Sequence, residues 1–397
     1  MNPLRDQGAK SNDRLNGFDF QRHNEEVHRV REAYDAGNPI RTPILLGTAS
    51  RYFQVIPEAN PTGWDYKEYS EDPDVMFEAV LHYQRWSRFN LLQDVELGLP
   101  DEWHVTIDFQ NYYDAAWFGC PVEYRESQVP DTIPIFADCP EKVMERGIPD
   151  PFGGLFARGL EFKERFEQRC KKETFLGRPI VVDPCLHGTD GVMTVACNLF
   201  GPQFVCMAMA AEPERLCRLL EFINESVIRR MKAWREIFNL PMPVENFGYA
   251  DDSIALISTA MYRDGVLPHH KRIFEAFATE GPRGIHLCGD ATRHFPTIRD
   301  ELNVWTFDTG YPVDFGALRE GLGPKVRILG GPRVEILRTE TPQGVREETR
   351  RILQSGILKG GLFILREGNN LAPHTPLENT EAMYHAGREW GTAESFA

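Results

Sequence analysis

Gly284-Ile285-His286-Leu287-Cys288-Gly289-Asp290 is an apolar run that ends in an imidazole and a thiol two residues apart, closed by a glycine and an acid. On a strand, alternate side chains share a face. His286 and Cys288 then stand together at the strand's C-terminal end, with Leu287 on the opposite face. An imidazole beside a thiol is part of a ligand set for a borderline-soft metal. A buried histidine and a buried cysteine with no metal between them satisfy the same pattern. The rhythm of this stretch recurs on both sides of it. Short apolar runs at 304–308, 326–330 and 361–365 are followed by helical patterns at 314–321, 342–354 and 376–390. Earlier runs at 42–47, 103–109, 179–183 and 246–252 read as strands too. Strands roughly 20–35 residues apart, with helices between them, argue for parallel βα units. Several end in polar residues: Asp108, Asp183, Asp251, Asp252, His286, Cys288 and Asp308. A single-domain (β/α)8 barrel gathers such ends on one face. A doubly wound open sheet is the alternative, but no Gly-x-Gly-x-x-Gly loop is present to serve it.

The chain has 397 residues, 42% hydrophobic and 26% charged, enough for one large core. Its 44 Lys and Arg against 59 Asp and Glu give a net charge of −15, which disfavours nucleic acid as a partner. No run of about 18 apolar residues marks a membrane span. Eight cysteines scattered through a long chain do not form a disulfide framework, and they fit a reducing cytoplasm.

Residues 1–24 read as a polar tail and 25–397 as the barrel, entered through a helix at 24–36. A second helix is expected at 73–88. A Pro- and Asp-rich excursion fills 125–150, and a long amphipathic helix covers 214–238. A helix at 259–279 is expected to break near Pro268. Thr375-Pro376 reads as an N-cap followed by a first-turn proline.

The motifs in order are Gly248-Tyr249-Ala250-Asp251-Asp252, Leu267-Pro268-His269-His270-Lys271-Arg272, Ile285-His286-Leu287-Cys288-Gly289, Pro312-Val313-Asp314-Phe315, Gly330-Gly331-Pro332 and Asn370-Leu371-Ala372-Pro373-His374-Thr375-Pro376-Leu377-Glu378-Asn379. Together they resemble the uroporphyrinogen decarboxylase superfamily over roughly 25–392, whose fold is a (β/α)8 barrel. The resemblance implies one of two activities. One branch decarboxylates uroporphyrinogen without a cofactor. The other transfers methyl groups to or from a corrinoid protein or a thiol, using zinc held by a His-x-Cys and a later Cys. His286-Leu287-Cys288 matches the second branch. The basic loop of the decarboxylases is reduced here to Gly47-Thr48-Ala49-Ser50-Arg51-Tyr52, with one arginine left. A substrate with many carboxylates would find few cations there.

The later Cys of the methyltransferase branch is replaced by Asn369, and no Cys follows 288. If zinc is bound, another side chain completes the set; Glu245 and Glu367 are the first candidates, with Asp251, Asp252 and Asp290 beside them. Asp251, Asp252 and Tyr249 are candidate catalytic groups. Adjacent acids at a strand end can divide acid and base roles, or one can face inward while the other caps a helix. Arg51, Tyr52, Asp108, His187, Tyr311 and Asn369 are candidate substrate contacts, with Asp114 a less specific one. The loop His187-Gly188-Thr189-Asp190-Gly191 either faces the substrate or is ordinary turn chemistry. His269-His270 reads as structural. The expected function is metal-assisted methyl transfer between a small methylated compound, such as an O-methyl aromatic, and cobalamin carried by a corrinoid protein. A decarboxylase and a non-catalytic corrinoid- or tetrapyrrole-binding barrel are the alternatives. Assembly as a homodimer is left open.

Overall fold

A computed structural model describes residues 13–125, 128–184 and 188–396. Its strands, in chain order, are β1 (Trp103–Val105), β2 (Val122–Glu123), β3 (Asp131–Thr132), β4 (Ile180–Val182), β5 (Gly248–Ala250), β6 (Arg283–Leu287), β7 (Val304–Thr309), β8 (Arg327–Gly330) and β9 (Phe363–Leu365). Contacts divide the chain into two compact units. One comprises 1–108, 162–183 and 314–397; the other comprises 109–161 and 184–313. No single helix among the described residues is long and apolar enough to cross a membrane.

In the first unit β1 pairs in parallel with β4, and β8 pairs in parallel with β9. The run expected as a strand at 42–47 contributes one parallel bridge, Ile44 to Leu365. The helix Phe20–Asp35 starts earlier than the 24–36 expected, because Asp19 caps it by accepting from the Arg22 amide. The chain is packed earlier still: Leu15 is buried, and Asp13 accepts from the Arg85 guanidinium at 2.7 Å. The polar tail of 1–24 therefore ends sooner than its composition implied, because Leu15 and the ion pairs of Asp13 with Arg85 and of Arg14 with Glu378 and Glu381 anchor it. The closing helix begins at Leu377; Thr375 turns its hydroxyl back to the Ala372 carbonyl and makes no cap. Residues 50–53 form a short helix in place of a loop.

The second unit is organised on β5, β6 and β7, which pair in parallel. Ala250 lies opposite His286, and His286 opposite Asp308, beyond a register shift at Arg283/Gly284. Asp190 bridges in parallel to Ala250, so a fourth segment joins the row. The helix Pro213–Ile237 starts on a proline and buries Leu216, Leu219, Leu220, Ile223, Val227, Met231 and Trp234 along one stripe. Arg230 lies on that buried face as well, which hydropathy alone would not place there. As the sequence implied, the helical pattern after Ser258 is interrupted, into Thr259–Gly265 and Leu267–Phe277 with Pro268 in the first turn of the second piece.

Candidate metal centre

β6 is buried and apolar at Ile285 and Leu287, so it sits fixed between its neighbours. The alternate residues face the other way. His286 and Cys288 meet there as the two-residue spacing requires, with Nε2 3.0 Å from Sγ. Asp252, beyond the end of β5, reaches the same place. Its Oδ1 accepts the Cys288 amide at 2.7 Å and lies 3.8 Å from His286 Nε2. Donor atoms of Asp252, His286 and Cys288 all lie within 4.8 Å of one another. Gly310 permits the close packing behind them, since a Cβ there would meet the Cys288 Cα at 2.6 Å.

The other imidazole nitrogen, Nδ1, lies 2.8 Å from Asp308 Oδ2. With Nδ1 donating to that carboxylate, the ring turns Nε2 toward the cluster, the arrangement by which carboxylates orient metal-binding histidines. Burial disfavours the imidazolium, but the hydrogen bonds to Asp308 and Cys288 outweigh it and lift His286 to about 10. Burial raises the Cys288 thiol, while His286 draws it partly back. The anionic oxygens and sulfur that favour a proton here would equally favour a bound cation. One nitrogen, one sulfur and one carboxylate form an acceptable set for zinc.

Asp251 faces the opposite way and is fully buried. Its carboxylate accepts from the Met193 amide at 3.2 Å, the Thr194 amide and hydroxyl at 2.8 Å each, and His270 Nε2 at 2.7 Å. It thereby caps the helix Val192–Phe200, whose own N-cap is Gly191. A Cβ on Gly191 would lie 2.3 Å from the Asp251 carboxylate, so glycine is required there. The acid/base role expected of Asp251 is corrected to a structural one. Tyr249 shares its face and is corrected likewise, because its ring packs on His270 and Phe274.

The remaining expected residues separate clearly. Glu245 is exposed before the N-terminal end of β5, so it is not a ligand at the C-terminal end. Asp290 is exposed, and Arg293 donates to its backbone carbonyl. In the first unit, Glu367 is buried with both oxygens accepting the Gly47 amide at 2.8 and 3.0 Å and with Arg366 at 3.0 Å. Burial pushes it up to about 7 against the pull of Arg366. Glu367 is committed to those partners and is not among the clustered donors. Asn369 takes a φ of 142°, and its carbonyl accepts from Arg366. Tyr52 is corrected from a substrate contact to a core residue whose hydroxyl donates to the Thr375 carbonyl. Arg51 is half-buried, and its carbonyl accepts from Tyr66. Asp108 accepts from Tyr69 at 3.0 Å. In the second unit Tyr311 is exposed. His187 lies outside the described residues. Asp114 is corrected too: it is buried against Arg230 at 2.7 Å and accepts the Asp190 amide at 2.9 Å. The third clustered donor was therefore Asp252 and not Glu245 or Glu367. Asp308 was legible as a polar strand end, but its role needed the register.

The chain matches the family described as Uroporphyrinogen decarboxylase (URO-D) over residues 26–390 and belongs to it. A methylated-thiol--coenzyme M methyltransferase of Methanosarcina mazei is 34% identical over 288 residues, 70% of this chain and 70% of that protein. A solved structure described as a methyltransferase from Methanosarcina mazei matches with a TM-score of 0.63 and 18% identity, over 91% of this chain and 98% of that one. The fold is the (β/α)8 barrel of the family, and the chain is an enzyme of the methyltransferase class.

Proposed function

We propose that this enzyme moves a methyl group from a small O-methylated compound to a corrinoid protein, with zinc held by His286, Cys288 and Asp252. The observation that carries this reading is the convergence of those three donors within 4.8 Å, where β5 and β6 end. When bound, zinc supplies Lewis acidity for the charge that develops on a leaving heteroatom. The protein's part is orientation. Asp308 fixes the His286 ring so that Nε2 faces the cluster, and the Cys288 amide fixes Asp252. A carboxylate in place of a second thiolate is a harder donor and leaves the metal a stronger Lewis acid. That favours an oxygen leaving group, which as an alkoxide or phenoxide needs more stabilisation than a thiolate. A methylated thiol is the second substrate reading, because the 34% identical relative is named for one.

The test is incubation of the enzyme with a reduced corrinoid protein and a panel of O-methyl aromatics and methylated thiols. Methylation is read from the visible spectrum of the corrinoid. Conversion with O-methyl aromatics is expected. Conversion by methylated thiols alone would overturn the oxygen preference, and no conversion by any donor would overturn the reading itself. His286→Ala with Cys288→Ala should abolish zinc seen by mass spectrometry; unchanged zinc would refute the metal assignment.

A further inference from the structure

Strand register places a second acid across from the cluster. Asp190 bridges to Ala250, Ala250 pairs with His286, and His286 pairs with Asp308. Partners in register share a face of the sheet. The row therefore runs carboxyl, methyl, imidazole, carboxyl, and its smallest member lies between Asp190 and His286. Ala250 carries only a methyl group and so extends less far from the sheet than Asp190 on one side and His286 on the other, where Cys288 and Asp252 gather. A small substrate seated over Ala250 would lie between Asp190 and that cluster.

Asp190 is held rigidly. Its amide donates to Asp114 Oδ2 at 2.9 Å, and its carbonyl accepts the Thr189 hydroxyl at 2.7 Å. Asp114 is fixed in turn by Arg230, whose guanidinium lies over the rings of Trp117 and Phe156 at 5.0 and 4.5 Å and donates to the Gly188 carbonyl at 2.7 Å. These contacts use the backbone of Asp190. Among the described residues its carboxyl makes no hydrogen bond and is left for a substrate over Ala250.

We propose that Asp190 is the general acid of the methyl transfer, giving its proton to the leaving oxygen of the substrate. The inference rests on the O-methyl reading above. In the step, the bond between the methyl carbon and oxygen breaks with its electron pair going to oxygen. The carboxyl proton of Asp190 moves to that oxygen. The methyl carbon receives its new pair from the cobalt(I) corrinoid of the partner protein. Asp190 is left as carboxylate and regains a proton from water. The groups that face it suit this role. Burial, then the charges of Asp114 and Asp252 and that of Asp251 behind the sheet, hold its carboxyl well above the usual carboxylate range, while His286 acts the other way. A carboxyl that holds its proton more tightly than an exposed one, in the same row as the cluster, suits a general acid.

A methyl donor that leaves as a neutral molecule needs no proton, and this separates the proposal from a structural role. Rates are compared for an O-methyl aromatic and for a methyl sulfonium compound, which leaves as a thioether. Asp190→Asn should lower the ratio of the first rate to the second by about 10²–10⁴-fold, with zinc content and circular dichroism unchanged. Asp190→Glu should restore part of the ratio. An equal fall with both donors, or no fall with either, would overturn the assignment. Should Asp190→Asn fail to fold, the wild-type enzyme still decides. A solvent deuterium isotope effect on transfer from the O-methyl aromatic but not from the sulfonium compound supports the acid; its absence from both refutes it. A wild-type enzyme inert to every donor would instead refute the methyl-transfer reading, and this proposal with it.

Discussion

Asp251 and Asp252 are neighbours in the chain and are used in opposite ways. Asp251 lies behind the sheet, fully buried, with four donors on its carboxylate. Asp252 lies in front, its side chain 43% exposed, with the Cys288 amide on one oxygen and room for a further partner. The back face is closed: His270 joins Asp251 to the Tyr262 hydroxyl at 3.1 Å, and Tyr249 and Phe274 pack around it. On the front face the side chains of His286, Asp308 and Asp252 stay 25%, 22% and 43% exposed. Two consecutive residues just past β5, where the chain turns into a 3-10 helix at Asp252, thus supply both the rigid support and the reactive surface.

The largest effect should come from opening the back. Asp251→Ala leaves the His270 ring and the first-turn amides of the helix Val192–Phe200 without their buried acceptor. Loss of one partner from such a buried set costs about 3–5 kcal/mol. Asp252→Ala removes a half-exposed acceptor and should cost about 1 kcal/mol. Urea denaturation followed by circular dichroism compares the two variants. Equal losses would show that the two faces do not differ as described.

A smaller effect tests the front face. Asp308→Asn retains a carbonyl that can accept from His286 Nδ1 but removes the charge that orients and enriches the ring. Zinc affinity, measured by competition with a chromogenic chelator, should weaken about 10–100-fold, the usual consequence of losing a carboxylate behind a metal-binding histidine. Stability should change much less than in Asp251→Ala. Unchanged affinity would mean that Asp308 does not act through His286.

The contrast between the faces was partly legible in the sequence. Apolar runs with polar ends located β5, β6 and β7 to within two or three residues, and the two-residue spacing of His286 and Cys288 placed them together. Period-two alternation also allowed that one of the paired acids faced away, but it could not say which, because both residues are Asp. That choice depends on Gly191 and Thr194, far off in sequence, meeting Asp251. Glu245 and Glu367 were misread for a related reason. A carboxylate's sequence position says nothing about which strand end it occupies or whether a backbone amide has already claimed it, as the Gly47 amide claims Glu367. Arg230 was invisible because a charged residue on an apolar stripe is ordinarily solvated; only its pairing with Asp114 explains its burial.

The finest comparison lies within the back face itself. The Asp251 carboxylate has four donors, but the Tyr249 hydroxyl, two residues before it, is buried with no hydrogen-bond partner among the described residues. Such a group carries a desolvation cost with no return. Tyr249→Phe keeps the ring on His270, 5.4 Å between centroids, and removes only that cost. The variant should gain about 1 kcal/mol in urea denaturation and leave zinc affinity and methyl transfer unchanged. A loss of stability would reveal a partner for the hydroxyl. A loss of methyl transfer at full stability would return Tyr249 to the front of the sheet as a catalytic group and break the division between the faces. Because strand alternation places Tyr249 with Asp251 and not with Asp252, gain without loss of activity is the outcome that the geometry requires.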